Sequence, residues 1–130
     1  MRLKLIVLTL LSAALFSSCD PGLSGDLKVY NNATIPISII AFDYGSKDSS
    51  KFTVQPNGNE TIKVLGGLGN KKTFDCCPCE FEGIIIKTTN GNIKKDPANK
   101  DNWLIPNKNK LKKYGKEGVQ CEFYVNQSDI

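Results

Sequence analysis

Most of the reactive chemistry open to this 130-residue chain rests on five cysteines: Cys19, Cys76, Cys77, Cys79 and Cys121. Three of them fall within four residues, Cys76-Cys77-Pro78-Cys79. There is no histidine. That removes Ser-His-Asp and Cys-His catalysis together with imidazole metal ligation. Arg2 is the only arginine, so planar guanidinium recognition of phosphates or bases is missing downstream of it, and no nucleic-acid partner is expected. The four cysteines after Cys19 could form two disulfides, supply four thiolates to Zn(II) or Cu(I), or act as a redox pair. Disulfides are the default in an oxidising compartment. Cys121 alternates with Val119 and Phe123, which places it on the core face of a strand. It is expected to reach Cys79 or Cys77, leaving a local bond such as Cys76–Cys79 or Cys76–Cys77. No metal and no cofactor are expected.

Cys76-Cys77-Pro78-Cys79 contains Cys-x-Pro-Cys, which is similar to the redox motif of thioredoxin-like proteins. The resemblance implies a reactive first cysteine at a helix N-terminus. Glu80-Phe81-Glu82-Gly83 and a β-prone run come next instead, and no tryptophan stands just ahead of the motif, so no activity is carried over. Glu80 and Glu82 lie two residues apart and would share one face of a strand, the spacing for a carboxylate pair or simply for a solvated edge. The segment 66–73, Gly-Gly-Leu-Gly-Asn-Lys-Lys-Thr, is faintly like a phosphate-binding loop. It has Lys71 where a glycine is required before Lys72-Thr73, and is read as a plain loop.

The N-terminal segment fixes the expected address. Arg2 and Lys4 precede an apolar run from Leu5 to Phe16, broken only by Thr9 and Ser12, and then Ser17-Ser18-Cys19. The run is short for a membrane-spanning helix and has the layout of an export signal. Leu15-Phe16-Ser17-Ser18-Cys19 resembles the lipobox of bacterial lipoproteins, with Phe16 where leucine or valine is commoner. The resemblance implies a signal peptide over 1–18 and a mature chain that begins at Cys19. That cysteine would carry thioether-linked diacylglycerol and an amide-linked acyl chain (palmitate or similar). Each buried CH₂ contributes about 0.8 kcal/mol, so two or three chains hold a protein on a bilayer almost permanently. Asp20, next in line, resembles the inner-membrane retention signal of some enterobacteria. Sorting rules differ between bacterial groups, and the outer membrane is the favoured location. Composition rich in Asn and Lys also resembles small lipoproteins of the Bacteroidetes.

Behind the leader, 112 residues remain, enough for one domain. Seventeen basic residues less Arg2 and Lys4 leave fifteen, against thirteen acidic, a net charge of +2. Residues 19–26 read as a lipidated cysteine and a short polar tether, and 27–130 as the folded domain. Leu27, Val29 and Asn31 alternate with Lys28, Tyr30 and Asn32; Ile35, Ile37 and Ile39 alternate with Pro36 and Ser38. Pro36 should start a strand or sit at an edge. Phe52–Val54 and Thr61–Leu65, joined through Pro56-Asn57-Gly58-Asn59, are expected to form a hairpin. A second hairpin starts from Ile84-Ile85-Ile86, with Asn90-Gly91 as its two-residue turn. Trp103-Leu104-Ile105 is a short apolar run. Lys108 to Lys116 is a basic stretch, either a solvated loop or a surface attracted to anionic headgroups. Val119, Cys121, Phe123 and Val125 mark the last strand. No stretch of twelve residues has helical periodicity. About seven short strands predict an all-β, antiparallel β-sandwich of Ig-like or similar type, with a small β-barrel as runner-up.

The expected function is therefore non-enzymatic: a membrane-anchored lipoprotein of the bacterial cell envelope whose β domain binds or has a structural role. Its partners would be the lipid bilayer, through acylated Cys19, and an envelope protein or a glycan. The alternative is an envelope thiol-redox or metal-binding protein using Cys76, Cys77, Cys79 and Cys121.

Overall fold

The computed structural model describes residues 22–68, 76–106 and 119–130. The leader, Cys19, and the basic run 108–116 lie outside them. Among the described residues, eight strands form two four-stranded sheets packed face to face, an all-β sandwich and not a closed barrel. One sheet has the order β4-β1-β8-β7, built from β1 (Gly22–Asn31), β4 (Asn59–Leu68), β7 (Trp103–Leu104) and β8 (Val119–Val125). The other has the order β3-β2-β5-β6, built from β2 (Ile37–Phe42), β3 (Ser49–Val54), β5 (Gly83–Thr88) and β6 (Gly91–Asn92). Helical structure among the described residues is limited to 3-10 turns of three residues.

The core obeys the period-two pattern closely. Leu27, Val29 and Asn31 of β1 point inward, as do Ile37, Ile39 and Ala41 of β2 and Ile84 and Ile86 of β5. From β8 come Val119, Cys121, Phe123 and Val125, each no more than 1% exposed. Trp103 closes the side of this core. Its ring tilts against Phe123 with centroids 5.2 Å apart, and its indole N–H donates to the Pro97 carbonyl at 2.8 Å, so the one polar atom of the ring is satisfied. Pro36 precedes β2, which is central in its sheet; the proline starts a strand and does not mark an edge.

Four expectations are corrected by the pairing. β1 begins at Gly22, five residues before its alternation starts, so most of the stretch read as a tether is paired strand, Gly22 opposite Leu68 and Asp26 opposite Val64. Gly25 is needed there because β8 passes close beside it: a Cβ would meet the Val119 carbonyl oxygen at 2.6 Å. Second, β1 and β8 run parallel, Leu27 opposite Cys121 and Val29 opposite Phe123, while the other five pairings are antiparallel. Third, β3 and β4 do not form a hairpin. β3 pairs with β2 and β4 with β1, and residues 55–58 carry the chain from one sheet to the other. Asn57 takes a left-handed conformation (φ 59°) and its N–H bonds to the Asn31 carbonyl at 2.7 Å, while the Asn31 N–H bonds to the Gly58 carbonyl at 2.9 Å. Four extended residues reach about 13 Å, enough to span the roughly 10 Å between stacked sheets. Fourth, the β5–β6 turn is Thr89-Asn90, with Thr88 opposite Gly91; Gly91, at φ 126°, opens β6.

The sandwich has two distinct ends. β1 and β8 both run from the end where the described chain begins toward the end that holds Asn31, Val125 and the C-terminus. The cysteine cluster precedes β5, whose first residue pairs with Phe42 at the end of β2, and so belongs to the entry end.

Candidate functional site

The sequence places its chemistry in the cysteines, and the structure pairs them two by two. Pro78–Glu80 forms a 3-10 turn, with Pro78 at its first position, where the missing N–H is not needed, and the Glu80 N–H bonded to the Cys77 carbonyl at 3.3 Å. The turn brings Cys76 and Cys79 together, Cα atoms 5.3 Å apart, as one disulfide. It also sends Cys77 inward, 1% exposed, to bond Cys121 on β8 with Cα atoms 5.8 Å apart. Of the partners expected for Cys121, the structure selects Cys77, and the local pair is Cys76–Cys79. The motif leads into this three-residue turn and then into β5. Among the described residues, no group of three or more Cys, Asp or Glu converges as a metal site.

Glu80 and Glu82 are not on a strand, since β5 starts at Gly83, so the expected shared face does not form. The Glu80 carbonyl instead accepts from Lys63 Nζ at 2.6 Å. Lys63 also bonds Asp43 at 2.7 Å and lies 4.8 Å from the Phe81 ring centroid. This ties β4 to the segment that carries the cysteines.

Exposure separates the two disulfides. Cys79 is exposed and Cys76 half-buried, whereas both sulfurs of the other bond lie in the core. Thiolate attack needs access. Titration with a mild reductant followed by alkylation is therefore expected to label Cys76 and Cys79 first, with Cys77 and Cys121 labelled only on unfolding. Simultaneous labelling of all four would contradict this order.

At the opposite end a shallow open groove of about 440 Å³ lies beside the end of β8. One wall is Tyr124 and Asn126 of the β8 end with Asn32 from the β1–β2 connection. Asp101, Asn102 and Leu104, from the 3-10 turn Lys100–Asn102 and β7, line the rest together with Lys95. Sequence reasoning singled out none of these as a site; their only signal is the enrichment of asparagine at strand ends. The walls are held from behind. The Lys94 N–H donates to the Asp129 carbonyl at 2.7 Å, and Lys95 Nζ donates to the Tyr124 carbonyl at 2.8 Å while sitting 4.8 Å from the Phe123 ring centroid. Asn102 Nδ2 donates to the Asp96 carbonyl at 2.8 Å, and Asn32 Nδ2 to Asn126 Oδ1 at 3.2 Å.

Tyr124 is positioned by its neighbours on the outer face of the sheet. Its ring stacks on Tyr30, the residue opposite it in β1, with centroids 4.7 Å apart and planes 10° apart. Its hydroxyl donates to Glu122 Oε2 at 2.7 Å. That bond is the main cause of a pKa pushed up to about 12, with smaller contributions from burial and from the Glu122 charge. An upward shift in the folded state means that the tyrosine's contribution to stability is present below pH 10 and is lost as pH rises toward 12. Ultraviolet titration is expected to show Tyr124 ionising late, and Glu122→Gln should return it toward the ordinary range. A Glu122→Gln titration superimposable on the parent would refute the assignment.

The fold and these two sites define a disulfide-stapled all-β sandwich domain. No family model, curated protein or solved structure matches the chain.

Proposed function

We propose that this chain is a bacterial lipoprotein of the cell envelope, outer membrane favoured, anchored by acyl chains on Cys19, and that its β domain is a non-enzymatic binding module. The observation that carries the reading is the polarity of the sandwich. β1 starts at Gly22, three residues after Cys19. Those residues reach about 10 Å when extended. An anchor there would hold the entry end against the bilayer and turn the groove at Tyr124 and Asn126 outward, toward a glycan or an envelope protein. The disulfides suit an exported chain.

The test is the intact mass of the protein from bacterial membranes. A chain that starts at Cys19 and carries diacylglycerol and an acyl chain is the expected result, with Cys19→Ala released from the membrane fraction. A lipid-free chain that begins at Asp20 or later would remove the anchor.

A second reading, thiol–disulfide chemistry at Cys76–Cys79, is favoured by the exposure of Cys79 alone. It requires this bond to open and close while Cys77–Cys121 stays intact and the domain stays folded. Loss of the fold on opening Cys76–Cys79 would sink it.

A further inference from the structure

We propose that the groove beside the end of β8 binds a neutral oligosaccharide, with Tyr124 and Leu104 as the apolar platform and Asn102, Asn126 and Asp101 as the hydrogen-bonding rim. The assignment rests on the reading of this end as the binding end and names its ligand class. A sugar ring offers a patch of C–H groups and a fringe of hydroxyls that both donate and accept. The groove matches both parts. Leu104, 55% exposed on a two-residue strand, and the flank of Tyr124 are apolar surface. Side-chain amides donate and accept at once. Asn126 Oδ1 is taken by Asn32 Nδ2 and by the Asp129 N–H of the capping box, which leaves its Nδ2 to donate. Asn102 spends one Nδ2 hydrogen on the Asp96 carbonyl and keeps its Oδ1 as an acceptor. Asp101 is exposed and adds a carboxylate acceptor, the stronger type of partner for a hydroxyl. The volume of about 440 Å³ falls within the roughly 300–1,000 Å³ typical of small-molecule sites.

The same residues disfavour other ligands. For an anion, Lys95 is the one cation of the lining; its Nζ is already committed to the Tyr124 carbonyl, and Asp101 opposes it. For a cation, Tyr124 has one ring face stacked on Tyr30, and Lys95 puts a like charge in the lining. For an added peptide strand, the edge of β8 past its two-residue pairing with β7, at Tyr124, is the natural docking line. Lys95 caps the Tyr124 carbonyl on that strand, which removes an acceptor the new strand would use. The groove is also pre-formed, because residues 94–102 are pinned both to the C-terminal turn and to their own backbone. Little ordering entropy then opposes a weak polar ligand.

The experiment uses the full chain as purified, in a sugar-free detergent where it carries lipid. Three probes are titrated and the asparagine side-chain amides monitored by NMR: maltotriose, triacetylchitotriose and an alternating Thr-Val hexapeptide. The expected result is a saturable shift of the Asn102 and Asn126 amides by at least one trisaccharide, with Kd at or below about 1 mM. Asp101→Ala and Tyr124→Ala should each weaken that binding about tenfold, whereas Tyr124→Phe should leave it within about twofold, since its hydroxyl is turned to Glu122. Asp101 is an exposed residue of the Lys100–Asn102 turn whose bond to Asn99 there is made by its backbone N–H, so its alanine variant is expected to fold. No shift with either trisaccharide at about twenty times that concentration, shifts caused by the peptide alone, or sugar binding indifferent to Asp101→Ala and Tyr124→Ala would each overturn the assignment. The mass at Cys19 is read separately, so a failed anchor and a failed ligand are told apart.

Discussion

Replacing Cys77 and Cys121 together by alanine is expected to lower stability by about 4 kcal/mol, against about 2 kcal/mol for the Cys76 and Cys79 pair. The difference comes from where the bonds sit. Cys77–Cys121 spans a sequence separation of 44, whereas Cys76–Cys79 spans 3, and the entropy removed from the unfolded chain grows with the closed loop. The long bond also joins the segment preceding β5 of one sheet to the middle of β8 in the other, so it is an inter-sheet staple within the core. A domain of this size is held by only about 5–15 kcal/mol in total, so 4 is a large share. Urea denaturation checks the prediction. The double variant should unfold at lower denaturant and with a steeper slope, because an uncrosslinked unfolded chain exposes more surface. The parent measured in strong reductant should converge on the variant lacking all four of these cysteines. A loss below about 1 kcal/mol for Cys77/Cys121, or a larger loss for Cys76/Cys79, would show that the staple is not what holds the sheets in register.

The pattern of side-chain alternation carried the strands and the core, and could carry no more than that. Val119 to Val125 reads as a half-buried strand from its residues alone, and the buried set there is the one expected. Whether a strand returns beside its predecessor or crosses to the facing sheet is a different question. Residues 55–58 look like a hairpin turn because Pro, Asn and Gly supply the required conformations. Their hydrogen bonds go to the Asn31 backbone, 26 residues away from Asn57, and nothing local reports that. The parallel partnership of β1 with β8 has the same origin: it joins the first strand to the last, and either direction satisfies alternation. The choice of Cys77 for Cys121 turns on the 3-10 turn after Pro78, which sends neighbouring cysteines to opposite sides. The groove was the least legible part. Asn32 follows β1, Lys95, Asp101 and Asn102 lie between β6 and β7, and Asn126 follows β8, three segments that meet only once both sheets are assembled.

Asn31→Ala should be among the most damaging single changes in the domain, at about 3–5 kcal/mol, although it removes only one small polar side chain. Asn31 is the one polar residue buried in the described core, at 0% exposure. Its Nδ2 donates to the Ile35 carbonyl at 2.8 Å and the Val54 carbonyl at 3.0 Å, and its Oδ1 accepts from the Ala33 N–H at 3.0 Å. The amide thus satisfies three backbone groups at two of the crossings between the sheets, β1 to β2 and β3 to β4. Alanine strips the partner from each, and a buried polar group left unpaired costs about 1–3 kcal/mol. Partial access of water at Ile35, which is half-buried, keeps the total below three full penalties. Asn31→Asp separates hydrogen bonding from size. The shape is kept, but the carboxylate turns an oxygen toward two carbonyl acceptors, so the variant should be at least as unstable as alanine at neutral pH. Those carbonyls and the burial favour the protonated acid in the folded state. The sign is then that of a raised folded-state pKa: stability is regained as pH falls and lost as it rises. Urea midpoints across acid and neutral pH, corrected for the parent's own profile, measure this directly. An Asn31→Asp variant as stable as the parent at neutral pH, or one with no relative recovery in acid, would mean that the crossings are held by something other than this amide.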